Sequence, residues 1–239
     1  MRLSGALCHA GGVTARDRPL EISLAAEVGI TAHEAGHLRG VFELPKKLRN
    51  ARVLDIGTGL SDFPAWLRAR GAEAYGLDLT YGRGMDWVIN DSIQRAAEDV
   101  YKEPEALTFT QQMADRFRAS LAPAPAIYVA ASALDLPFKN GSFDLVTSSL
   151  GIFGTLDHDY EMLQTGFNEA LRVLRRGGKL QLSPVFYRAV KPAERACEVN
   201  QRRLIAGLKK NNRLQVSDRI LGFNAGIGEI VGRLIVTKL

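Results

Sequence analysis

Short apolar runs alternate with amphipathic stretches along most of this 239-residue chain. A compact apolar run that ends at a glycine or a polar residue is typical of a buried strand. Seven such runs are found, over 51–56, 74–77, 127–131, 143–147, 179–183, 213–216 and 232–238. Helices are predicted near 20–38 and over 62–71, 86–101, 105–119, 159–176 and 192–210. Strands alternating with helices at this spacing predict an α/β fold with right-handed crossovers and a parallel sheet.

The alternation is interrupted at two places, which suggests how the domain is organised. Residues 1–50 have weak periodicity and are expected to form an N-terminal helical segment that caps the rest of the chain. Residues 51–239 carry the regular pattern, broken only by about residues 82–125, which predict a helical insertion. We expect the insertion to act as a lid or to select the substrate.

Composition is ordinary for a globular protein, with 46% hydrophobic and 24% charged residues. The length suits one substantial hydrophobic core and is short for two full-sized domains. No apolar run approaches the ~20 residues that span a bilayer, and the first residues make a poor signal peptide. Cys8 and Cys197 fit no disulfide framework or zinc ribbon. We therefore expect a cytoplasmic protein without membrane attachment.

The net charge of +5 is unevenly distributed. From Arg172 to the end there are 15 lysine and arginine residues against four acidic ones, whereas the preceding part is acidic overall. Such an asymmetry can mark a surface for RNA or another anionic partner. Because no aromatic-rich RNA-binding module accompanies the charges, solvated helix faces are the favoured explanation.

Polar side chains follow three of the predicted strands, where ligands bind in open α/β sheets. Asp55 lies at the end of the first strand, before Gly57-Thr58-Gly59, whose glycines permit a sharp turn close to a ligand. Asp78 ends the second strand and Asp135 follows the third. Asp62 stands where the dinucleotide fingerprint GxGxxG requires a small residue, which argues against NAD binding.

Four sequence motifs in a fixed order carry a family resemblance. They are Val53-Leu-Asp-Ile-Gly-Thr-Gly59, Gly76-Leu-Asp78, Ala133-Leu-Asp-Leu-Pro-Phe138 and Glu169-Ala-Leu-Arg-Val-Leu-Arg-Arg-Gly-Gly-Lys-Leu180. Together they resemble the class I S-adenosylmethionine-dependent methyltransferases, particularly the small-molecule branch, over about residues 51–183. The resemblance implies a Rossmann-like, doubly wound, mostly parallel seven-stranded sheet with helices on both faces.

The resemblance also implies roles for individual residues toward S-adenosylmethionine. Residues from the first strand end would lie under the methionine part of the cofactor, with Asp55 near its amino group. Asp78 would hold the ribose hydroxyls, beside Leu79 at the adenine. Residues at the other two strand ends would face the adenine or line the mouth where the methyl group is transferred. The full cofactor-binding set is Asp55, Gly57, Thr58, Gly59, Asp78, Leu79, Asp135, Leu136, Ser148 and Ser149, with Leu150 completing the mouth.

A general base is useful only if the acceptor must lose a proton. The candidates are His158, flanked by two aspartates just after the fourth strand, and more weakly Tyr187 after the fifth. A helix-capping cluster with an incidental histidine is an equally good interpretation of His158. No metal site is assigned for the reaction. The residues after the fourth strand, Ser148-Ser149-Leu150-Gly151, lack the Asn/Asp-Pro-Pro-Tyr/Phe of adenine and glutamine methylators.

A competing motif precedes the methyltransferase-like region. His33-Glu34-Ala35-Gly36-His37 matches HExxH, in which two histidines bind zinc and the glutamate acts as a base. A zinc protease needs a third ligand and a substrate-binding strand, for which the N-terminal segment has little room. We favour a polar helix face near the cofactor cleft, where His33 or His37 touches substrate.

The sequence thus predicts an enzyme that methylates a small molecule. The first alternative is RNA methylation, motivated by the basic C-terminal third. The second is a cofactor-binding protein without catalysis that serves as a partner or regulator. Neither the methyl acceptor nor the oligomeric state is indicated by the sequence.

Overall fold

One seven-stranded sheet organises the chain in the computed structural model, which describes residues 35–98, 104–123, 127–188, 192–224 and 229–239. The strands are β1 (Arg52–Ile56), β2 (Glu73–Asp78), β3 (Tyr128–Ala130), β4 (Phe143–Ser149), β5 (Leu174–Arg188), β6 (Leu214–Asn224) and β7 (Glu229–Lys238). The helices are α1 (Ala35–Val41), α2 (Phe63–Arg68), α3 (Met85–Glu98), α4 (Pro104–Leu121), α5 (Tyr160–Val173) and α6 (Pro192–Leu208). None of these helices is long and apolar enough to cross a lipid bilayer.

The order of strands across the sheet is β3-β2-β1-β4-β5-β7-β6. Strands β1 to β5 pair in parallel, whereas β7 runs antiparallel to both β5 and β6. The predicted doubly wound, mostly parallel sheet of seven strands is confirmed, with one antiparallel hairpin at its edge. The chain order reverses between β1 and β4, and ligands bind outside the carboxyl ends of the strands at such a point.

The central strands are buried on both faces, which explains their continuous apolar sequence. Leu54 and Ile56 of β1 join a core cluster with helix α5, while Val53 joins a separate cluster with helices α1 and α2. All three side chains are essentially inaccessible to solvent. Each fully buried aliphatic side chain contributes about 1.5–3 kcal/mol through the hydrophobic effect, so β1 is firmly fixed. The turn that follows it is therefore a well-positioned platform.

The described part of the N-terminal segment packs directly on the sheet. Helix α1 and Phe42 belong to the same core cluster as α2 and β1. The Glu43 backbone exchanges two hydrogen bonds with the Gln181 side chain on β5, at 2.7 and 2.8 Å. The guanidinium of Arg233 on β7 donates to the Glu43 carboxylate at 2.6 Å and to the carbonyl of Val41. The cap predicted over 1–50 is thus anchored through its last third.

The predicted insertion forms its own helical layer. A 3-10 turn over Leu79–Arg83 leads into α3, which packs on α4. Tyr81 lies at the centre of this layer, stacked on Phe117 and edge-on to Tyr128. Its hydroxyl donates a 2.6 Å hydrogen bond to the carbonyl of Gly59. The insertion is therefore tied to the glycine turn after β1.

The predicted boundary between the helix over 159–176 and the strand over 179–183 is wrong. The helix predicted over 159–176 ends at Val173, and β5 already begins at Leu174, because the pairing with β4 starts there and shifts register between Phe143 and Leu145. Gly177 has φ +75° and belongs to this irregular strand start rather than to a helix end. Asp62 stands at the N-cap of α2 without capping it, since its carboxylate accepts the backbone N–H of Ala35 at 2.9 Å.

Candidate functional site

Asp55 is the buried carboxylate at the carboxyl end of β1. Its Oδ1 accepts a 2.7 Å hydrogen bond from the hydroxyl of Thr147 on the neighbouring strand β4. Burial raises the pKa of Asp55 to about 7, although the hydrogen bonds from Thr147 and Thr58 oppose the shift. The carboxyl group therefore changes charge near neutral pH. A cation beside it would favour the ionised form, as the predicted contact with the cofactor's amino group requires.

The turn after β1 approaches a second loop without any side chain between them. Gly57 and Gly59 have φ of +74° and +53°, which favour glycine. A Cβ on Gly57 would stand 2.4 Å from Cα of Gly151, in the loop after β4. Thr58 turns inward, and its hydroxyl accepts the backbone N–H of Leu77 at 3.1 Å. The turn thus packs against the loop after β4 with Gly57 half-buried, and its role under the cofactor stays a prediction.

Asp78 joins the end of β2 to the glycine turn. Its Oδ2 accepts the backbone N–H of Gly59 at 3.0 Å, and its Oδ1 accepts both the N–H and the hydroxyl of Thr80. A carboxylate has about four acceptor positions, so one remains for a ligand hydroxyl. Leu79 follows with its side chain 68% exposed. An exposed leucine beside a half-buried carboxylate fits the predicted contacts with a nucleoside.

The loop after β3 is held by a charged pair on helix α5. Glu169 accepts the backbone N–H of Leu136 at 2.8 Å, and Arg172 donates to the carbonyls of Leu136 and Phe138 at 2.8 and 2.7 Å. The two side chains bind each other through two hydrogen bonds of 2.7 Å. This pairing lowers the pKa of Glu169. The third and fourth sequence motifs thus form one structural unit.

The residues predicted to contact the adenine or to line the mouth differ in how deeply they are buried. Asp135 is exposed, whereas the side chain of Leu136 is buried in the main core. Ser148 is fully buried and its hydroxyl bridges the carbonyl of Ile56 and the N–H of Ile152, both at 2.9 Å. Ser149 is buried at the same strand end. The side chain of Leu136 packs in the core and that of Ser148 bonds to the backbone, and their assignment to the cofactor stays a prediction.

One candidate base, His158, lies in the loop after β4, and the other, Tyr187, lies near the carboxyl end of β5. His158 is exposed, and its Nδ1 is 3.3 Å from the sulfur of Cys197 on α6. The backbone of Tyr187 belongs to β5, but its side chain lies outside the described residues. His33 and Glu34 also lie outside them, as does the side chain of His37. The base roles and the HExxH interpretation therefore stay predictions.

The described residues fit the nucleoside cofactor that the sequence predicts. Three groups lie at adjacent strand ends: a buried carboxyl group that ionises near neutrality, a glycine turn and a second carboxylate. They are brought together because β1 pairs with β2 from Arg52 to Ile56 and with β4 at Asp55–Thr147. The first group suits a cation, the second a close backbone approach, and the third ribose hydroxyls.

Sequence reasoning missed three residues that complete this site. Thr147 was assigned only to a strand, although a hydroxyl opposite a buried aspartate is the expected partner. Gly151 was assigned no role, although a Cβ added at this position would lie 2.4 Å from the carbonyl oxygen of Ile56. Tyr81, which directly precedes the predicted insertion, was assigned no role. None of these contacts is local in sequence, so only the pairing of strands reveals them.

Comparison with known families and curated proteins identifies relatives. The sequence profile of a methyltransferase domain family matches residues 90–182. The ubiquinone/menaquinone biosynthesis C-methyltransferase UbiE of Cereibacter sphaeroides is 32% identical over 133 residues, or 55% of this chain and 41% of that protein. The biotin biosynthesis bifunctional protein BioHC of Cellvibrio japonicus is 30% identical over 140 residues, or 59% and 21%. The chain thus spans about two fifths or less of the length of these relatives.

Solved structures with a related arrangement include the magnesium protoporphyrin IX methyltransferase ChlM of Synechocystis PCC 6803, crystallised with bound SAM. It is 15% identical, with 97% of this chain and 87% of that chain covered and a TM-score of 0.49.

Proposed function

We propose that this chain is a class I S-adenosylmethionine-dependent methyltransferase that transfers a methyl group from S-adenosylmethionine to a small-molecule acceptor. One observation carries the proposal. The carboxyl ends of β1, β2 and β4 bring the glycine turn, the buried Asp55 and the carboxylate of Asp78 to a single edge of the sheet.

The residues at this edge would hold the cofactor in separate ways. The carboxylate of Asp55 would face its amino group, and Asp78 would accept one ribose hydroxyl while keeping the N–H of Gly59 in place. Leu79 and Asp135, both exposed, would bind the adenine by packing and by hydrogen bonding. Gly57 and Gly59 would let the main chain approach the ligand closely.

The chemistry requires mainly orientation from the protein. When bound, the sulfonium cofactor supplies an electrophilic methyl group. The chain's contribution is to fix the acceptor in line with that group and to exclude water, which can lower the barrier by several kcal/mol, on the order of 7–11 kcal/mol at best. The loop 150–159 and the insertion helices α3 and α4 follow the strand ends that flank this edge, so we propose that they form the acceptor pocket.

Direct titration tests the cofactor assignment. We expect S-adenosylmethionine or its demethylated product to bind in calorimetry, and Asp78→Ala to abolish the heat. Asp78→Asn should bind weakly, because it keeps an acceptor for Gly59 but loses the charge. Asp86→Ala, an exposed aspartate on α3, is the control and should bind normally. Unchanged affinity in Asp78→Ala would refute the assignment of the ribose carboxylate.

The acceptor class is tested with methyl-labelled cofactor and a fractionated host extract. We expect label in the small-molecule fraction. Label in RNA, with binding that weakens steeply as salt rises, would support the alternative motivated by the basic C-terminal third. Several of those basic side chains are already paired with carboxylates, among them Arg172, Arg175, Arg202, Lys209 and Arg233. Cofactor binding without any labelled acceptor would favour the non-catalytic partner.

A further inference from the structure

Three potential metal ligands meet where the loop after β4 touches helix α6. Asp157 and His158 come from the loop, and Cys197 comes from the helix. One ligand atom from each residue lies within 4.8 Å of the others, and the Cys197 sulfur is 3.3 Å from His158 Nδ1. In a tetrahedral zinc site, bonds of about 2.0–2.3 Å place neighbouring ligand atoms roughly 3.3–3.8 Å apart. The cluster needs only small movements to reach that geometry.

An unsatisfied carboxylate oxygen points to a ligand in this cluster. Asp157 is 0% exposed, and its Oδ1 has no hydrogen-bond partner among the described residues. Leaving a buried carboxylate oxygen unpaired costs on the order of 1–3 kcal/mol or more, so native proteins rarely do so. A cation bound between Oδ1, the imidazole and the thiolate would remove this cost.

The surroundings of Asp157 resemble the outer shell of a metal site. Its other oxygen, Oδ2, accepts a 2.6 Å hydrogen bond from the side chain of Gln201, which is itself buried. The side chain of Asn200 donates to the backbone carbonyl of Asp157 at 2.8 Å. Asn200 and Gln201 follow Cys197 by about one helical turn on α6. One face of the helix therefore supplies a ligand and two side chains that hydrogen-bond to Asp157. Such supports orient ligands and raise metal affinity.

We propose that Asp157, His158 and Cys197 form a binding site for a divalent transition-metal cation, with Zn²⁺ as the favoured ion. Thiolate and imidazole select Zn²⁺ over Mg²⁺ or Ca²⁺, which prefer oxygen ligands. Three protein ligands leave a fourth position, and the exposed His158 places that position within reach of solvent or an acceptor. An imidazole bound to a metal cannot also accept a proton, so this inference replaces the base role predicted for His158.

The site is tested on the whole 239-residue chain without cofactor. After removal of metal by a chelator, we expect one equivalent of Zn²⁺ to bind in calorimetry. Co²⁺ should give a thiolate-to-metal charge-transfer band that Zn²⁺ abolishes. Cys197→Ser and Asp157→Asn should each weaken Zn²⁺ binding at least tenfold, and Cys197→Ser should also remove the cobalt band. Circular dichroism of the metal-free variants checks that they fold.

Matched controls separate this site from other ligands in the chain. Asp159→Asn should bind Zn²⁺ normally, because Asp159 caps α5 and asparagine preserves the cap. Cys8→Ser should leave the cobalt band unchanged, and the double variant His33→Ala, His37→Ala should still bind one equivalent. The proposal is overturned if the wild-type protein binds no stoichiometric Zn²⁺, or if Cys197→Ser binds it with unchanged affinity. Neither result depends on methyl transfer.

Discussion

The hydroxyl of Thr147 on β4 donates a 2.7 Å hydrogen bond to the buried carboxyl group of Asp55 on β1. The pair joins β4 to the carboxyl end of β1, at the point where the strand order reverses. Because burial outweighs this hydrogen bond, the pKa of Asp55 is raised to about 7. We therefore expect both cofactor binding and protein stability to depend on pH through this one residue.

Cofactor affinity should rise with pH up to about 7. The cationic end of the ligand favours the carboxylate, so below the pKa of Asp55 a proton must leave on binding, and the affinity should fall toward about tenfold per pH unit. Calorimetry between pH 5.5 and 7.5 measures this slope. In Thr147→Val the slope should extend to higher pH, because the hydrogen bond that lowers the pKa is lost. An equally steep slope in Asp55→Asn would assign the pH dependence to another group.

The stability of the ligand-free protein should respond to pH in the opposite direction. The folded-state pKa of Asp55 is raised from 3.8 to about 7, so between these values the folded state binds more protons than the unfolded state. The contribution of Asp55 to the free energy of unfolding is therefore largest below pH 4 and is lost as the pH rises through 7. Urea denaturation should show that the stability gained by Asp55→Asn over wild type grows between pH 4.5 and 7.5. A constant difference would contradict the raised pKa.

Gly57→Ala should abolish cofactor binding and destabilise the fold. The new methyl group would meet Cα of Gly151 at 2.4 Å, and the residue would also have to keep φ +74°. Gly141→Ala is the matched control, because Gly141 has φ +67° but its Cβ would have 3.8 Å to the nearest atom. The control should lose only about 1–2 kcal/mol from the left-handed backbone. Equal losses of stability in denaturant titrations would show that the close approach is unimportant.

Arg172→Lys should destabilise the protein by about 2 kcal/mol. A lysine cannot reproduce the two hydrogen bonds to Glu169 while also reaching the carbonyls of Leu136 and Phe138. The surface pair Arg118–Asp115 offers a control of the same chemistry, and Arg118→Lys should change the free energy of unfolding by less than about 0.5 kcal/mol. Urea titrations of both variants at one pH would measure these changes in the free energy of unfolding. Two equally small effects would mean that the loop after β3 does not need the clamp.

The sequence could predict those features whose cause is local. Apolar runs located all seven strands, and the glycine turn, Asp55 and Asp78 were assigned to the strand ends where they lie. The depth of each side chain could not be predicted in the same way. Leu136 and Ser148 were predicted to line the site in the same way as Asp55 and Asp78, but the first is buried in the core and the second bonds to two backbone groups. The meeting of Asp157, His158 and Cys197 depends on how α6 packs, which no spacing in the sequence encodes.

Tyr81→Phe should weaken cofactor binding through the glycine turn rather than through direct contact. The Tyr81 hydroxyl donates to the carbonyl of Gly59 at 2.6 Å in a buried setting, so its loss leaves that carbonyl unpaired and costs about 1–3 kcal/mol of stability. Tyr128→Phe is the control, because it removes a buried hydroxyl from the same aromatic cluster, one that pairs with Ser120 at 2.7 Å. Both variants should unfold at lower urea concentration, but only Tyr81→Phe should bind the cofactor more weakly in calorimetry. If the two variants bind the cofactor equally well, the insertion does not position the turn, and its contribution is limited to the acceptor pocket.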